Sequence, residues 1–224
     1  MKGILYIIST PIGNLKDITL RALEVLKTVD YILCEDTRVT GKLLHHYEIS
    51  KKLVSFNDFS EEAKTPVVIK GLLSGQVVAL VSDAGTPLIS DPGYKLVREC
   101  IHQGIAIESI PGPSSVITAL TVSGLPPDKF TFVSYLPKKD VKRKSFLEDL
   151  KKGREIVKST IIIFESPYRL IKSLEDIKQI FGDIEIVVCR ELTKMHEEIK
   201  SAKVSQVIEY FLQSALKGEF IILF

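Results

Sequence analysis

Between Gly3 and Pro111, short runs rich in β-branched residues alternate with segments of helical periodicity, and this alternation constrains the fold more than any other feature of the chain. ILYIIS is followed by TLRALEVLK, YILC by TRVTGKLLHHY, LVSF by TPVVIKGLL, and VVALVS by PGYKLVRECIHQG before IAIESIP closes the series. The strand-like runs are almost continuously apolar, as strands covered on both faces must be. Five strands with four intervening helices predict a parallel sheet sandwiched between helices.

The segment from Gly112 to Asp128, with three prolines and two glycines around the apolar stretch SSVITALTVSG, reads as a junction between domains, placed at residues 1–113 and 114–224. Beyond it come FTFVSYL, a charged amphipathic helix from Lys142 to Glu155, TIIIFES, YRLIKSLEDIKQIF, EIVVCREL, EEIKSAKV, SQVIEYFLQSAL and EFIILF. Two successive strand-like runs near Val188 and Ile199 have no helix between them, so the second sheet should be mixed. The fold class expected is α/β, in two α/β domains.

Composition narrows the function classes. The 224 residues include 45% apolar and 26% charged side chains, ordinary values for a globular chain. Three widely spaced cysteines, Cys34, Cys100 and Cys189, fit neither a disulfide framework nor a zinc site. The first apolar stretch meets Ser9-Thr10-Pro11 too early for a signal segment, and no run is long enough to span a bilayer, which points to a cytoplasmic protein without a membrane partner. The net charge of +2 is too small for a general nucleic-acid binder, but residues 138–152 hold seven bases against three acids. Such a run is either a solvated face or a phosphate contact.

Several chemistries lack their residues. There is no GxGxxG after the first strand, Gly41-Lys42 is followed by Leu43 rather than Ser or Thr, and no GxSxG occurs. His196-Glu197-Glu198 lacks the second histidine of a zincin helix, and adjacent His45 and His46 cannot share a helix face, so no metal is expected. What is present is a set of small, rigid loops where successive strands end: TPIGNLKDIT from Thr10, CEDTR from Cys34, VSDAGTPLISDPG from Val81 and PGPSS from Pro111. Open α/β sheets bind ligands at that edge, and glycine and proline there let a ligand approach the main chain closely. Either Asp17 or Thr19 is suited to cap the first helix, and Asp36 or Thr37 the second. In the second half, FESPYR and RELTKMHEE hold Arg169 and Arg190, placed either for ion pairs with Glu165 and Glu191 or for a grip on phosphate.

TPIGNLKDIT, CEDTR, VSDAGTPLISDPG, PGPSS, FESPYR, RELTKMHEE and KGEF, in that order and over nearly the whole chain, resemble the ribosomal RNA small subunit methyltransferase I family of the tetrapyrrole methylase superfamily. The resemblance implies a class III methyltransferase fold with the cofactor cleft between its two domains, S-adenosylmethionine as methyl donor, the 2'-hydroxyl of a cytidine in 16S ribosomal RNA or the small subunit as acceptor, and a homodimer. Many members continue past KGEF into a small helical extension, whereas this sequence ends at Phe224. It further implies that the donor lies against Pro11, Gly13, Asp83, Ala84, Gly85, Thr86, Pro87, Ser114 and Ser115, with Glu219 nearby.

A ribose hydroxyl is a poor nucleophile until its proton leaves, so Glu35, Asp36 and Glu165 become the candidate bases. Because adjacent strand residues point to opposite sides, one of Glu35 and Asp36 would face the site while the other caps the next helix. Arg38, Lys142, Arg143, Lys144, Arg169, Arg190 and Lys194 are the residues expected to hold RNA. A methylase acting on a small tetrapyrrole and a noncatalytic module that binds donor or RNA are the rival readings.

Overall fold

The structure, a computed structural model, describes residues 2–224. It divides into two compact units, the first ending at Ser114 and the second running Ser115–Phe224.

In the first unit β1 (Ile4–Ile8), β2 (Tyr31–Cys34), β3 (Lys52–Ser55), β4 (Val78–Val81) and β5 (Ala106–Ile110) form a sheet in the order β3-β2-β4-β1-β5, every pairing parallel. The connecting helices are α1 (Leu20–Thr28), α2 (Thr37–His46), α3 (Glu61–Leu73) and α4 (Tyr94–His102). Alternation along the strands creates two cores. Ile8, Ile32, Cys34, Ala79 and Val81 meet Ala22 and Leu26 of α1 and Leu43 and Leu44 of α2 on one face. Leu5, Leu33, Val78 and Leu80 meet Val68, Ile69 and Leu72 of α3 and Leu96 and Cys100 of α4 on the other. Thr19, rather than Asp17, caps α1 by accepting from the Ala22 amide. The third helix starts one turn before the TPVVIKGLL pattern does, and Pro66 lies inside it. Bonds from the Glu61 amide to the Asn57 carbonyl and from the Lys64 amide to the Ser60 carbonyl begin the helix ahead of the proline.

In the second unit β6 (Phe130–Tyr135), β7 (Thr160–Glu165), β8 (Glu185–Arg190), β9 (Glu198–Lys203) and β10 (Phe220–Leu223) pair in the order β6-β7-β10-β8-β9. Only β6 and β7 are parallel; β8 and β9 form an antiparallel pair, so this sheet is mixed as the adjacent runs predicted. Its single core joins Ile161, Ile163, Val188, Phe220 and Ile222 to Leu147, Leu174, Ile177, Val207 and Phe211 from α6 (Asp140–Ile156), α7 (Leu170–Phe181) and α8 (Val204–Leu212). Ahead of them, α5 (Ser115–Ser123) runs against β8, β9 and β10. No helix among the described residues is long and apolar enough to cross a membrane, and Cys34, Cys100 and Cys189 are buried free thiols.

The basic run is not simply a solvated face. Arg143 is 2% exposed; its Nε donates to Asp176 at 2.7 Å and its Nη2 to Asp140 at 2.7 Å, while Nη1 reaches the Lys138 carbonyl at 3.2 Å. Asp176, on α7, is equally buried. Removing one partner of a buried pair strands the other charge, at a cost of about 3 kcal/mol or more. Asp176→Ala should therefore lower the urea midpoint by that equivalent, whereas Lys142→Ala, at an exposed position, should leave it unchanged; equal midpoints would contradict the clamp.

Candidate functional site

All five strands of the first sheet end at one edge, and their connections part there. The connection from β1 passes through α1 to one face; that from β4 passes through α4 to the other. Since β1 and β4 are neighbours, the crevice of an open parallel sheet lies where these two loops diverge. A short antiparallel bridge spans it: the Thr10 amide donates to the Gly85 carbonyl at 2.9 Å and the Gly85 amide to the Thr10 carbonyl at 3.0 Å. Thr10 Oγ1 also donates to the Ser82 carbonyl, and Ser82 Oγ to that of Gly85. Thr86 Oγ1 donates to the Pro113 carbonyl at 3.1 Å and hydrogen-bonds Ser9 Oγ at 3.1 Å, which adds the loop after β5. The candidates Pro11, Asp83, Ala84, Gly85, Thr86 and Pro87 thus sit on loops bonded to one another, Gly13 lies in the exposed turn beyond Pro11, and Ser114 follows Pro113. Ser115 opens α5 in the second unit, and Glu219 also belongs to that unit, where Lys194 Nζ donates to its carboxylate at 3.0 Å.

The acids after β2 take different roles. Asp36 caps α2, accepting from the Arg38 amide at 2.8 Å and from the Arg38 guanidinium at 2.6 Å, which holds its carboxyl down at about 2. A group so acidic is a poor proton acceptor near neutrality. Glu35 is not used as a cap, and burial, followed by repulsion from Asp83, Asp58 and Asp36, raises its pKa. Asp83 Oδ1 accepts from the Asp36 amide at 3.0 Å, tying the β2 and β4 loops together; burial raises its pKa as well. Asp91, within the quoted loop but not singled out from sequence, is pushed up to about 7, first by burial and then by Glu35. Glu61 was also missed: buried on α3, it accepts from the Gly93 and Lys95 amides at 3.1 and 2.9 Å and so caps α4 from outside it. Its signal was there to be read, since Gly93 offers α4 no side-chain cap.

Several candidates of the second unit are spent on the fold. Glu165 is 2% exposed, pairs with Arg169 at 2.7 Å and accepts from Ser173 Oγ and from the Ser166 amide at 2.8 Å, so both its oxygens are engaged within the loop. Arg169 also donates to the Leu136 carbonyl at 2.9 Å. Arg190 pairs with Glu198 at 3.5 Å, not with Glu191, and donates to the Lys217 and Ala215 carbonyls. Lys194 bridges Glu191 and Glu219. Arg143, buried with Asp176, is withdrawn from the residues able to reach RNA, and Lys144 donates to Gln179 at 2.7 Å. Arg38, its side chain 86% exposed, and Lys142 remain open to solvent.

The model of the Tetrapyrrole (Corrin/Porphyrin) Methylases matches residues 4–208. Proteins named ribosomal RNA small subunit methyltransferase I are similar over almost the whole chain: that of Rickettsia prowazekii is 48% identical, covering 100% of this chain and 78% of its own length. That of Thermotoga maritima is 47% identical, covering 97% and 96%. The chain belongs to this family of methyltransferases. Among solved structures, cobalt precorrin-4 methyltransferase superposes with a TM-score of 0.69 at 22% identity over 98% of this chain and 94% of its own, and the uroporphyrin III C-methyl transferase of Thermus thermophilus with 0.67 at 17% over 99% and 97%. At those identities they share the fold. Members of the family take their methyl group from S-adenosylmethionine.

Asp91 leaves a thermodynamic signature. A carboxyl with an ordinary value of 3.8 that titrates at about 7 when folded binds more protons in the native state between those values. Stability therefore falls as pH rises through that interval and is level above it. Asp91→Asn should remove this slope and gain about 1–2 kcal/mol on its parent between pH 5 and pH 8, allowing for screening of a partly buried site. Parallel stability profiles in urea titrations at several pH values would show that Asp91 does not titrate there.

Proposed function

We propose that the protein transfers a methyl group from S-adenosylmethionine to the 2'-hydroxyl of a cytidine in 16S ribosomal RNA, as a cytoplasmic homodimer. The observation that carries the reading is 47–48% identity, over nearly the full chain, to proteins named for small-subunit ribosomal RNA methylation. The fold neighbours that act on tetrapyrroles are similar at only 17–22% identity.

The first unit suits the donor. At Gly85, with φ +84°, a Cβ would lie 3.3 Å from Cγ2 of Ile12, so any other residue would strain the left-handed backbone and crowd the first loop. Pro11, Gly13, Asp83–Pro87 and Ser114 would present main-chain groups and small side chains to an adenosine, and the neighbouring Glu35, Asp83 and Asp91 would favour a cation beside it. S-adenosylmethionine, when bound, supplies an electrophilic methyl group on a positively charged sulfur. Alignment of acceptor and methyl carbon then accounts for much of the acceleration.

Glu35 is the residue of the candidate set with both the freedom and the basicity to take the ribose proton. Its raised pKa makes it a stronger base than an ordinary carboxylate, and the reaction should slow as pH falls through that value, because only the ionised form accepts a proton. Glu35→Gln should lower the single-turnover rate by about 100-fold or more with donor affinity retained. Asp36→Asn, by contrast, should cost about 1 kcal/mol of stability as a weakened cap and leave the chemistry largely intact. Equal rates in Glu35→Gln and the parent would remove Glu35 from this role.

The function itself is tested with tritiated donor offered alongside isolated small subunits, naked 16S RNA and a tetrapyrrole. Label in a single ribose-methylated cytidine is the expected product. Label in the tetrapyrrole alone would transfer the protein to the small-molecule branch, and no transfer to any acceptor would leave a binding module.

A further inference from the structure

Strand register brings three loops of the second unit to one edge. Tyr135 pairs with Phe164, and Phe220 of β10 stands between Glu165 on β7 and Arg190 on β8. Since β6 is parallel to β7, and both β7 and β8 are antiparallel to β10, the chain leaves β6, β7 and β8 in one direction and at nearly one level. Those loops carry large side chains into solvent: Tyr168 is 96% exposed, Met195 93% and Tyr135 52%.

The backbone beneath them is braced. Glu165 is buried and holds Ser166, Ser173 and Arg169 at once, while Arg169 donates to the Leu136 carbonyl and lies 5.8 Å over the Tyr135 ring, which locks the β6 and β7 loops together. A tyrosine left in water on such a loop adds almost nothing to folding, yet it is presented at little entropic cost to a partner. The loop after β6, bonded to this one through Leu136 and Arg169, carries exposed positive charge. Lys138, Lys139 and Lys142 are exposed, and among the described residues no carboxylate pairs with them; the nearby Asp140 and Asp176 are engaged by the buried Arg143.

We infer that this edge is a platform for single-stranded RNA, with Tyr168 stacking on an unpaired base and Lys138, Lys139 and Lys142 following the phosphates. An exposed tyrosine beside a lysine-rich loop matches the electrostatic groove and stacking surface that single strands use, because every base has a π-face once it is unstacked. A protein interface would be depleted in lysine at its centre. The inference rests on the reading that RNA is the substrate and adds the form in which RNA is gripped: an unpaired segment rather than a duplex.

The test is the affinity of the full chain, by fluorescence anisotropy, for a short cytidine-containing RNA strand and for the same strand annealed to its complement. Tyr168→Ala should weaken single-strand binding about five-fold or more with the salt slope unchanged, and Tyr168→Phe should restore it. Replacing Lys138, Lys139 and Lys142 together with Gln should reduce the slope of log affinity against log salt by about 2. Tyr168 is exposed, so these variants keep the parent's thermal unfolding. Unchanged affinity in Tyr168→Ala, or equal affinity for the duplex, overturns the platform. So does a Tyr168→Ala protein that binds RNA normally but dissociates into smaller species in sedimentation, since the edge is then a subunit interface. Failure of the unaltered protein to bind or methylate any RNA brings down the proposed function together with the platform; a protein that methylates RNA without needing Tyr168 brings down the platform alone.

Discussion

Two backbone hydrogen bonds between Thr10 and Gly85 close the point at which the first sheet opens. β1 and β4 are neighbours whose outgoing chains travel to opposite faces, so without a tie their loops would diverge. The exchange between Thr10 and Gly85 holds them together at main-chain distance, and glycine favours it by accepting a positive φ without strain and bringing no Cβ close to Ile12. The remaining contacts extend this bridge: Ser82 and Thr10 satisfy carbonyls on either side, Thr86 reaches Pro113, and Asp83 receives the Asp36 amide, so that loops from four strands become one piece. A site assembled from such ties is pre-ordered, and binding then costs little further entropy.

The second unit solves a different problem. Its sheet ends carry charged side chains that sequence alone cannot sort, and the fold sorts them by burial. Glu165 and Arg169 hold a loop, and Arg143 and Asp176 hold α6 to α7. Removal of a partner from such pairs is costly, which marks them as structural. What these pairs leave outside is a set of lysines and aromatic side chains.

Strand runs such as ILYIIS and VVALVS announced the parallel sheet because burial on both faces leaves a continuous apolar signature, and the edge at which its loops gather followed from where those runs ended. The adjacent runs around Val188 and Ile199 likewise announced the antiparallel pair. Charge was harder to read. Arg143 sits in a run of bases that looks solvated, and its burial depends on Asp176, 33 residues away and on another helix. Arg190 meets Glu198 across the β8–β9 pair rather than its sequence neighbour, because successive side chains of a strand point to opposite faces. The division between Glu35 and Asp36 was foreseeable as a division, but which acid caps α2 depended on backbone geometry. The elevated Asp91 is a product of the folded loop and of Glu35 beside it, which no local pattern encodes.

The central claim is that the bridged loops of the first unit receive the methyl donor, and amide hydrogen exchange with and without S-adenosylmethionine tests it most directly. The account predicts slower exchange on donor addition in the segments 9–19 and 82–93, with the outer surfaces of α3 and α4 unaffected. Donor binding that leaves both segments unprotected while slowing exchange elsewhere would contradict it.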